Sequence, residues 1–255
     1  MNKNFYQSNK YNNNNINYGF FTRQNGESLD NYQSLNCSYS SGDKTEIVKK
    51  NITIAKDKLN LKNKKLKLIN QTHSNKVLFL NQNNFLDTMD VDGIITLDKN
   101  ICLGILTADC CPIFLFDDKA TFICNLHAGW KGCYLNIIKS ALDIINQNIS
   151  GITNINAIIG PCLGQKNFEV RNDFKDNFIK INNKYAQFFL IKNNTNNLFN
   201  MRGLINFQLL EAGVFNIENI DIDTYSNSKL FFSHRRSTHE QKLPTGRMIN
   251  IIGFN

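Results

Sequence analysis

The chain has 255 residues, and its 42% hydrophobic share is ordinary for a soluble fold that buries a substantial core. No uninterrupted apolar run approaches the roughly 20 residues of a membrane helix. The start, MNKNFYQSNKYNNNNINYGF, shows no cationic segment leading into an apolar one, so no secretory signal is read and a cytoplasmic location is expected. The net charge of +8 raises the question of nucleic acid. Lys, Asn and Ile are abundant together, however, which reads as a general compositional bias. The densest basic run, Lys62-Asn63-Lys64-Lys65-Leu66-Lys67, reads as a solvated strand entry, so neither nucleic acid nor membrane is an expected partner.

Residues 1–17 read as a flexible polar tail before a single domain over 18–255. YGFFTRQNG is a short apolar strand running into a turn. Residues 42–60 predict a surface helix with Ile47, Ile54, Ala55 and Leu59 on one face. KLKLINQTHSNKVLFL (65–80) predicts two strands around a polar bend. Further strands are expected at 93–96, 101–107, 112–116 and 121–126. The clearest helix is 132–148, where Tyr134, Ile137, Ile138, Ala141, Ile144 and Ile145 recur at helical spacing. Helices near 172–183 and 201–213 follow, the second with Gly213 suited to its C-terminal cap. Strands near 156–160, 187–191 and 247–254 complete the pattern. The fold class is α/β, a mixed sandwich with a layered sheet and flanking helices. The irregular alternation argues against a doubly wound nucleotide fold. Neither GxGxxG nor GxxxxGK[ST] occurs.

The seven cysteines (37, 102, 110, 111, 124, 133 and 162) are odd in number, lie in apolar segments and form no CxxC pair. That excludes a disulfide framework and a zinc ribbon, and most read as small core residues. The chemistry gathers elsewhere. In GILTADCCPIFLFDDKATFICNLHAGWKG (104–132), an acid, thiols and an imidazole interrupt two apolar runs, and burying such groups unpaired is costly. Of the four histidines, His73, His127 and His234 each stand where an apolar strand is expected to end. A lone residue of this kind is more often structural than a ligand. Together, His73, Cys110 and His127 offer a metal two imidazoles and a thiolate, with a fourth position open, and Asp109 sits ready as general base or to orient water. The same atoms also allow a metal-free Cys110–His127 thiol–imidazole dyad. Arg235, Arg236 and Arg247 form a C-terminal cluster suited to phosphate or carboxylate, and equally to a solvated turn. The Gly160-Pro161 turn offers backbone amides for an anion.

Eight segments, in this order, carry a resemblance over residues 19–254: GFFTRQNGES, SLNCSYSSGD, NQTHSNKV, VDGIIT, TADCCPI, HAGWKG, IGPCLGQKNFEV and FFSHRRS…TGRM. The chain resembles the YfiH family, the laccase-domain or multicopper polyphenol oxidase-type proteins. The resemblance implies a mixed α/β sandwich related to the Cys–His catalytic domain of a deamidating bacterial toxin. It implies zinc, with copper in some preparations, on His73, Cys110 and His127. It further implies phosphorolysis of adenosine, inosine and methylthioadenosine, deamination of adenosine, and a link to peptidoglycan precursor editing, for which the Cys–His dyad would act as a thiol hydrolase. The expected partners are purine nucleosides and phosphate, in a monomer or small homo-oligomer. Phosphate is placed near Arg235, Arg236 or Arg247, with Arg23 as a further candidate, and substrate hydrogen bonds at Asn36 and Gln71. A multicopper cluster would need more imidazoles than four histidines supply, and the HxE…PCxxC layout of zinc nucleobase deaminases is absent. Two positions depart from the family's pattern: Ile52 follows Asn51 where an Arg is common, and Asp223 precedes Thr224 where a Cys is common.

Overall fold

The computed structural model describes residues 4–11, 15–81, 84–86, 89–152 and 154–255. In chain order the elements are β1 (Phe5–Tyr6), β2 (Ile16–Phe21), α1 (Thr45–Lys58), β3 (Lys65–Lys67), β4 (Val77–Leu80), β5 (Gly93–Thr96), β6 (Ile101–Thr107), β7 (Cys111–Asp117) and β8 (Ile123–Ala128). They continue as α2 (Trp130–Tyr134), α3 (Ile137–Asn148), β9 (Ile155–Ile159), β10 (Glu169–Arg171), α4 (Asn172–Ile181), β11 (Phe189–Ile191), β12 (Asn196–Phe199), α5 (Met201–Glu211), β13 (Asn216–Asn219), α6 (His234–His239) and β14 (Met248–Phe254).

The strands form three sheets, ordered β1-β2-β14-β6-β3, β13-β9-β7-β8-β5-β4 and β10-β12-β11. The two larger sheets face each other. Alternate residues of the central strands point to opposite sides, and the apolar runs without polar alternation mark strands covered on both faces. Thus Phe114 and Phe116 of β7 meet Tyr18 and Phe20 of β2 and Leu103 of β6 between the sheets. Phe20 and Phe114 stack with centroids 4.3 Å apart. Ile113 and Leu115 turn the other way, toward Ile138, Ala141 and Ile145 of α3 and Leu204 and Ile205 of α5. On the outer face of the five-stranded sheet, Ile249 and Ile251 pack on Val48, Ile52 and Ala55 of α1. The result is helix, sheet, sheet, helix: the expected mixed α/β sandwich. Buried Asn125 stitches the two sheets together, and buried Asn250 braces its own sheet. Asn125 Nδ2 donates to the carbonyls of Leu103 and Asn250, and Asn250 Nδ2 to that of Ile105.

Several elements differ from the sequence expectations. The helix expected over 132–148 is two helices, because Asn136 takes a left-handed φ of 56° and its side chain accepts from Lys139 N to start α3. The buried face of α1 centres on Val48, Asn51, Ile52 and Ala55, leaving Ile47 and Ile54 at its margins. The segment read as a polar tail contributes structure where it is described: Phe5 and Tyr6 pair with Phe21 and Phe20, and buried Tyr11 donates from its hydroxyl to Asn156. Residues 1–3 and 12–14 of that segment lie outside the described residues. Strands β10, β12 and β13 were not anticipated, each being short and rich in Asn, Glu or Arg. Phe231–Ser233, read as a strand end, forms no ladder; it is a buried extended segment entering α6, where Ser233 accepts from Arg236 N as N-cap.

Candidate metal centre

His73, Cys110 and His127 come together, their ligand atoms all within 4.8 Å of one another. Each arrives by a different route. Cys110 sits at the turn between β6 and β7, and His127 lies near the end of β8. Antiparallel pairing of Cys111 with Ala128 and of Pro112 with His127 sets these two side by side. His73 comes from the loop between β3 and β4, with a left-handed φ of 58°. Its Nε2 is 3.7 Å from Cys110 Sγ, and its ring lies edge-on to that of His127 at 4.9 Å. Gly129 follows immediately. A Cβ there would lie 2.9 Å from Cys110 Sγ and 3.0 Å from His73 Cδ2, so only glycine admits the backbone this close.

The residue beneath the centre is Asp92, fully buried at the head of β5. Its Oδ1 lies 2.7 Å from His127 Nδ1 and accepts from the His73 amide at 3.0 Å. Its Oδ2 accepts from the amides of Thr72 and Ser74 and the hydroxyl of Ser74. A carboxylate only accepts, so His127 Nδ1 carries the proton and Nε2 is left as the ligand atom. Sequence reasoning missed this residue, although Asp92 lies in VDGIIT, an acid set directly before an apolar strand.

The electrostatics follow from these contacts. Burial raises the Cys110 thiol, but His127 and His73 outweigh it and bring it down to about 6. Burial lowers the His127 imidazole, but the Cys110 thiolate and Asp92 lift it to about 9. Burial raises Asp92, yet hydrogen bonds from His127 and Ser74 hold it well below the usual carboxylate range. A half-buried cysteine sulfur with two imidazole nitrogens is a donor set of the type zinc takes, at about 2.0–2.3 Å per ligand, and the compact triangle of donor atoms fits such an ion.

The triad opens into a cavity of about 570 Å³. Asp109, Gln71, Arg235 and Arg247 line it, as do Trp130, Phe168, Leu163 and His234. Asp109 is buried in a left-handed backbone (φ 92°), and both its carboxylate oxygens are engaged: Thr224 Oγ1 donates to one, Ser233 Oγ and the Arg235 amide to the other. It thereby ties the Cys110 turn to the start of α6. Gln71 pairs through both side-chain ends with the backbone of Leu106. Arg235 Nη1 rests on the Glu169 carbonyl and Arg247 Nη1 on that of Thr245.

Other expected residues lie elsewhere. Asn36 is buried, and its amide is consumed by Ser41, Asp43 and the amides of Ser38 and Arg247. Arg236 donates to the carbonyls of Thr224, Tyr225 and Phe231. Arg23 packs on the Phe232 ring at 4.3 Å and, with Arg236, borders a separate surface depression; burial lowers it to about 10. The Gly160-Pro161 turn is no anion cradle: the amides of Gly160, Cys162, Leu163 and Gly164 are taken by Pro112, Ile222, Asp109 and Asp223. Ile52 packs into the core under the five-stranded sheet, and Asp223 organises a loop by accepting from Gly164, Asn167, Tyr225 and Ser226.

Residues 17–255 match the family described as multi-copper polyphenol oxidoreductase laccase. The chain belongs to this family. Its relatives carry a different name. A Rickettsia conorii protein named purine nucleoside phosphorylase is 35% identical over 236 residues, covering 90% of this chain and 92% of its own. One from Bacteroides thetaiotaomicron with the same name is 31% identical, covering 87% of each. Among solved structures, a Neisseria meningitidis protein superposes with a TM-score of 0.88 at 26% identity, covering 99% of this chain and 100% of that one. The Bacillus licheniformis protein YfiH superposes at 0.86 and 28% identity, covering 94% and 93%. The laccase-like YfiH fold is therefore shared along nearly the whole chain. Among the described residues one group of three His, Cys or acidic ligands comes together, and it is the triad above. Among the described residues no helix is long and apolar enough to cross a membrane.

Proposed function

We propose that this protein is a zinc-dependent purine nucleoside enzyme of the cytoplasm. It phosphorolyses adenosine, inosine and methylthioadenosine, and deaminates adenosine. One observation carries the reading: His73, Cys110 and His127 converge at a cavity whose other walls hold two arginines and an aromatic pair. The names of the family relatives supply the substrate class.

Phosphorolysis requires an oxygen of phosphate to bond C1′ of the ribose while the C1′–N9 bond breaks and its electron pair leaves with the base. Arg235 and Arg247 bind the phosphate, because guanidinium groups pair well with its oxygens. Trp130 and Phe168 offer apolar surface to the purine. Asp109 holds α6, and with it Arg235, against the Cys110 turn. When bound, zinc supplies Lewis acidity for the hydrolytic removal of the amino group. The test is product analysis with purified wild type. Adenosine with phosphate should yield adenine and ribose 1-phosphate, and without phosphate it should yield inosine. A chelator should remove the second activity. Failure to form either product with zinc supplied would reject the reading.

A second reading has its own support. Without metal, the lowered Cys110 thiol and raised His127 imidazole make a thiolate–imidazolium pair, the resting state of a thiol hydrolase. Such an enzyme, acting on amides of the peptidoglycan-precursor type, would survive chelation and the loss of His73. The deamination of adenosine by a zinc enzyme would not.

A further inference from the structure

We propose that Asp92 is the positioning residue of the metal centre: one buried carboxylate that holds both imidazole ligands in metal-binding geometry before an ion arrives. These contacts are the same whichever substrate the site takes. Three consecutive amides, those of Thr72, His73 and Ser74, converge on this carboxylate, with the Ser74 hydroxyl at 2.7 Å. Consecutive amides of this kind form a concavity that binds anions; here the anion is a side chain of the same protein. The concavity includes His73 in its left-handed conformation, which costs an ordinary residue roughly 1–2 kcal/mol and persists only where its surroundings over-determine it. Without Asp92 the loop has no reason to keep His73 turned toward Cys110.

The same carboxylate fixes the other imidazole. Asp92 accepts from His127 Nδ1 at 2.7 Å, and the Asp92 carbonyl accepts from the His127 amide at 2.7 Å. The ring is thus held at both its backbone and its Nδ1, which leaves Nε2 facing the centre. Cys110 needs no such help, because the β7–β8 register and Asp109 place it. Asp92 therefore acts on two ligands of three, through groups that never touch the ion.

The experiment uses full-length protein stripped of metal, with zinc affinity read by competition against a chromophoric chelator. His127 tautomer and the amides of Thr72–Ser74 are followed by nitrogen-15 NMR. In Asp92→Asn the carboxamide must turn a donor toward either the loop amides or His127 Nδ1. Zinc affinity should fall about 10- to 100-fold, with a changed His127 tautomer population or displaced loop amides. Ser74→Ala, which removes one donor and keeps the carboxylate, should lose several-fold affinity; it carries the test if Asp92→Asn does not fold. Zinc affinity within about twofold of wild type in the folded variant overturns the proposal, even if its melting temperature drops, because Asp92 would then serve only the fold.

Discussion

Two polar regions interrupt the apolar pattern of this sequence, and the fold treats them differently. His73, expected at a strand end but set in the β3–β4 loop, converges with Cys110 and His127 within 4.8 Å. The C-terminal arginines scatter: Arg235 and Arg247 reach the cavity, while Arg236 is buried on three backbone carbonyls. The difference lies in what positions each group. Sheet register brings Cys110 and His127 together, and register is strongly specified where both faces are buried. The arginines sit on a short helix and a loop, where neighbouring positions point in unrelated directions. Adjacent cations in sequence are therefore a poor guide to a shared ligand, and strand ends in one sheet are a good one.

That contrast can be broken experimentally. His73→Ala should abolish stoichiometric metal binding and lower adenosine deamination by more than about 100-fold, exceeding the loss expected from an outer residue; a fully active, metal-free variant would remove the metal from the account. Arg236→Ala should cost roughly 3 kcal/mol of stability, since three charge-assisted hydrogen bonds to buried carbonyls are lost. Arg247→Ala should leave the denaturation midpoint nearly unchanged and raise KM for phosphate about tenfold. Equal stability losses in the two arginine variants would erase the distinction between them. Gly129→Ala should weaken zinc binding about tenfold by displacing Cys110 and His73, a change on the scale expected for sub-ångström misplacement.

The mildest perturbation is pH. The Cys110 thiol is lowered to about 6, so its thiolate is present above that pH and lost below it. In metal-free protein, alkylation of Cys110 should rise through a midpoint near pH 6, and bound zinc should suppress it. The other six cysteines are buried and should stay unmodified in the native state. A midpoint near the ordinary thiol value of about 8.5 would mean that the imidazoles do not face the sulfur as described.

Much of the sandwich was legible because β5, β6 and β7 are apolar runs of strand length, as is β8 apart from Asn125 and His127, and both faces of the six-stranded sheet are covered. The short strands β10, β12 and β13 were not legible, because each carries at most one or two core side chains, such as Val170 and Phe199, among polar residues. The break at Asn136 was hidden for a related reason: the apolar spacing of Ile137, Ile138 and Ala141 continues across it, while the left-handed turn depends on one capping residue. At the site, the candidate ligands Cys110 and His127 stood out as polar groups at the ends of apolar strands. Asp92 did not, since a single acid before a strand has many uses and its grip on residues 72–74 exists only in three dimensions. Asn36 and Arg236 misled in the opposite sense, being polar side chains spent wholly on holding loops.

The central claim is that one metal, held by three side chains, serves a nucleoside-cleaving cavity. Elemental analysis of purified wild type and Cys110→Ala, alongside adenosine turnover with and without phosphate, tests it most directly. About one zinc per chain is expected, lost in the variant, with adenine released by wild type only when phosphate is present. A wild type that holds no metal and turns over no nucleoside even when zinc is supplied would contradict it and leave the Cys110–His127 thiol pair as the working site.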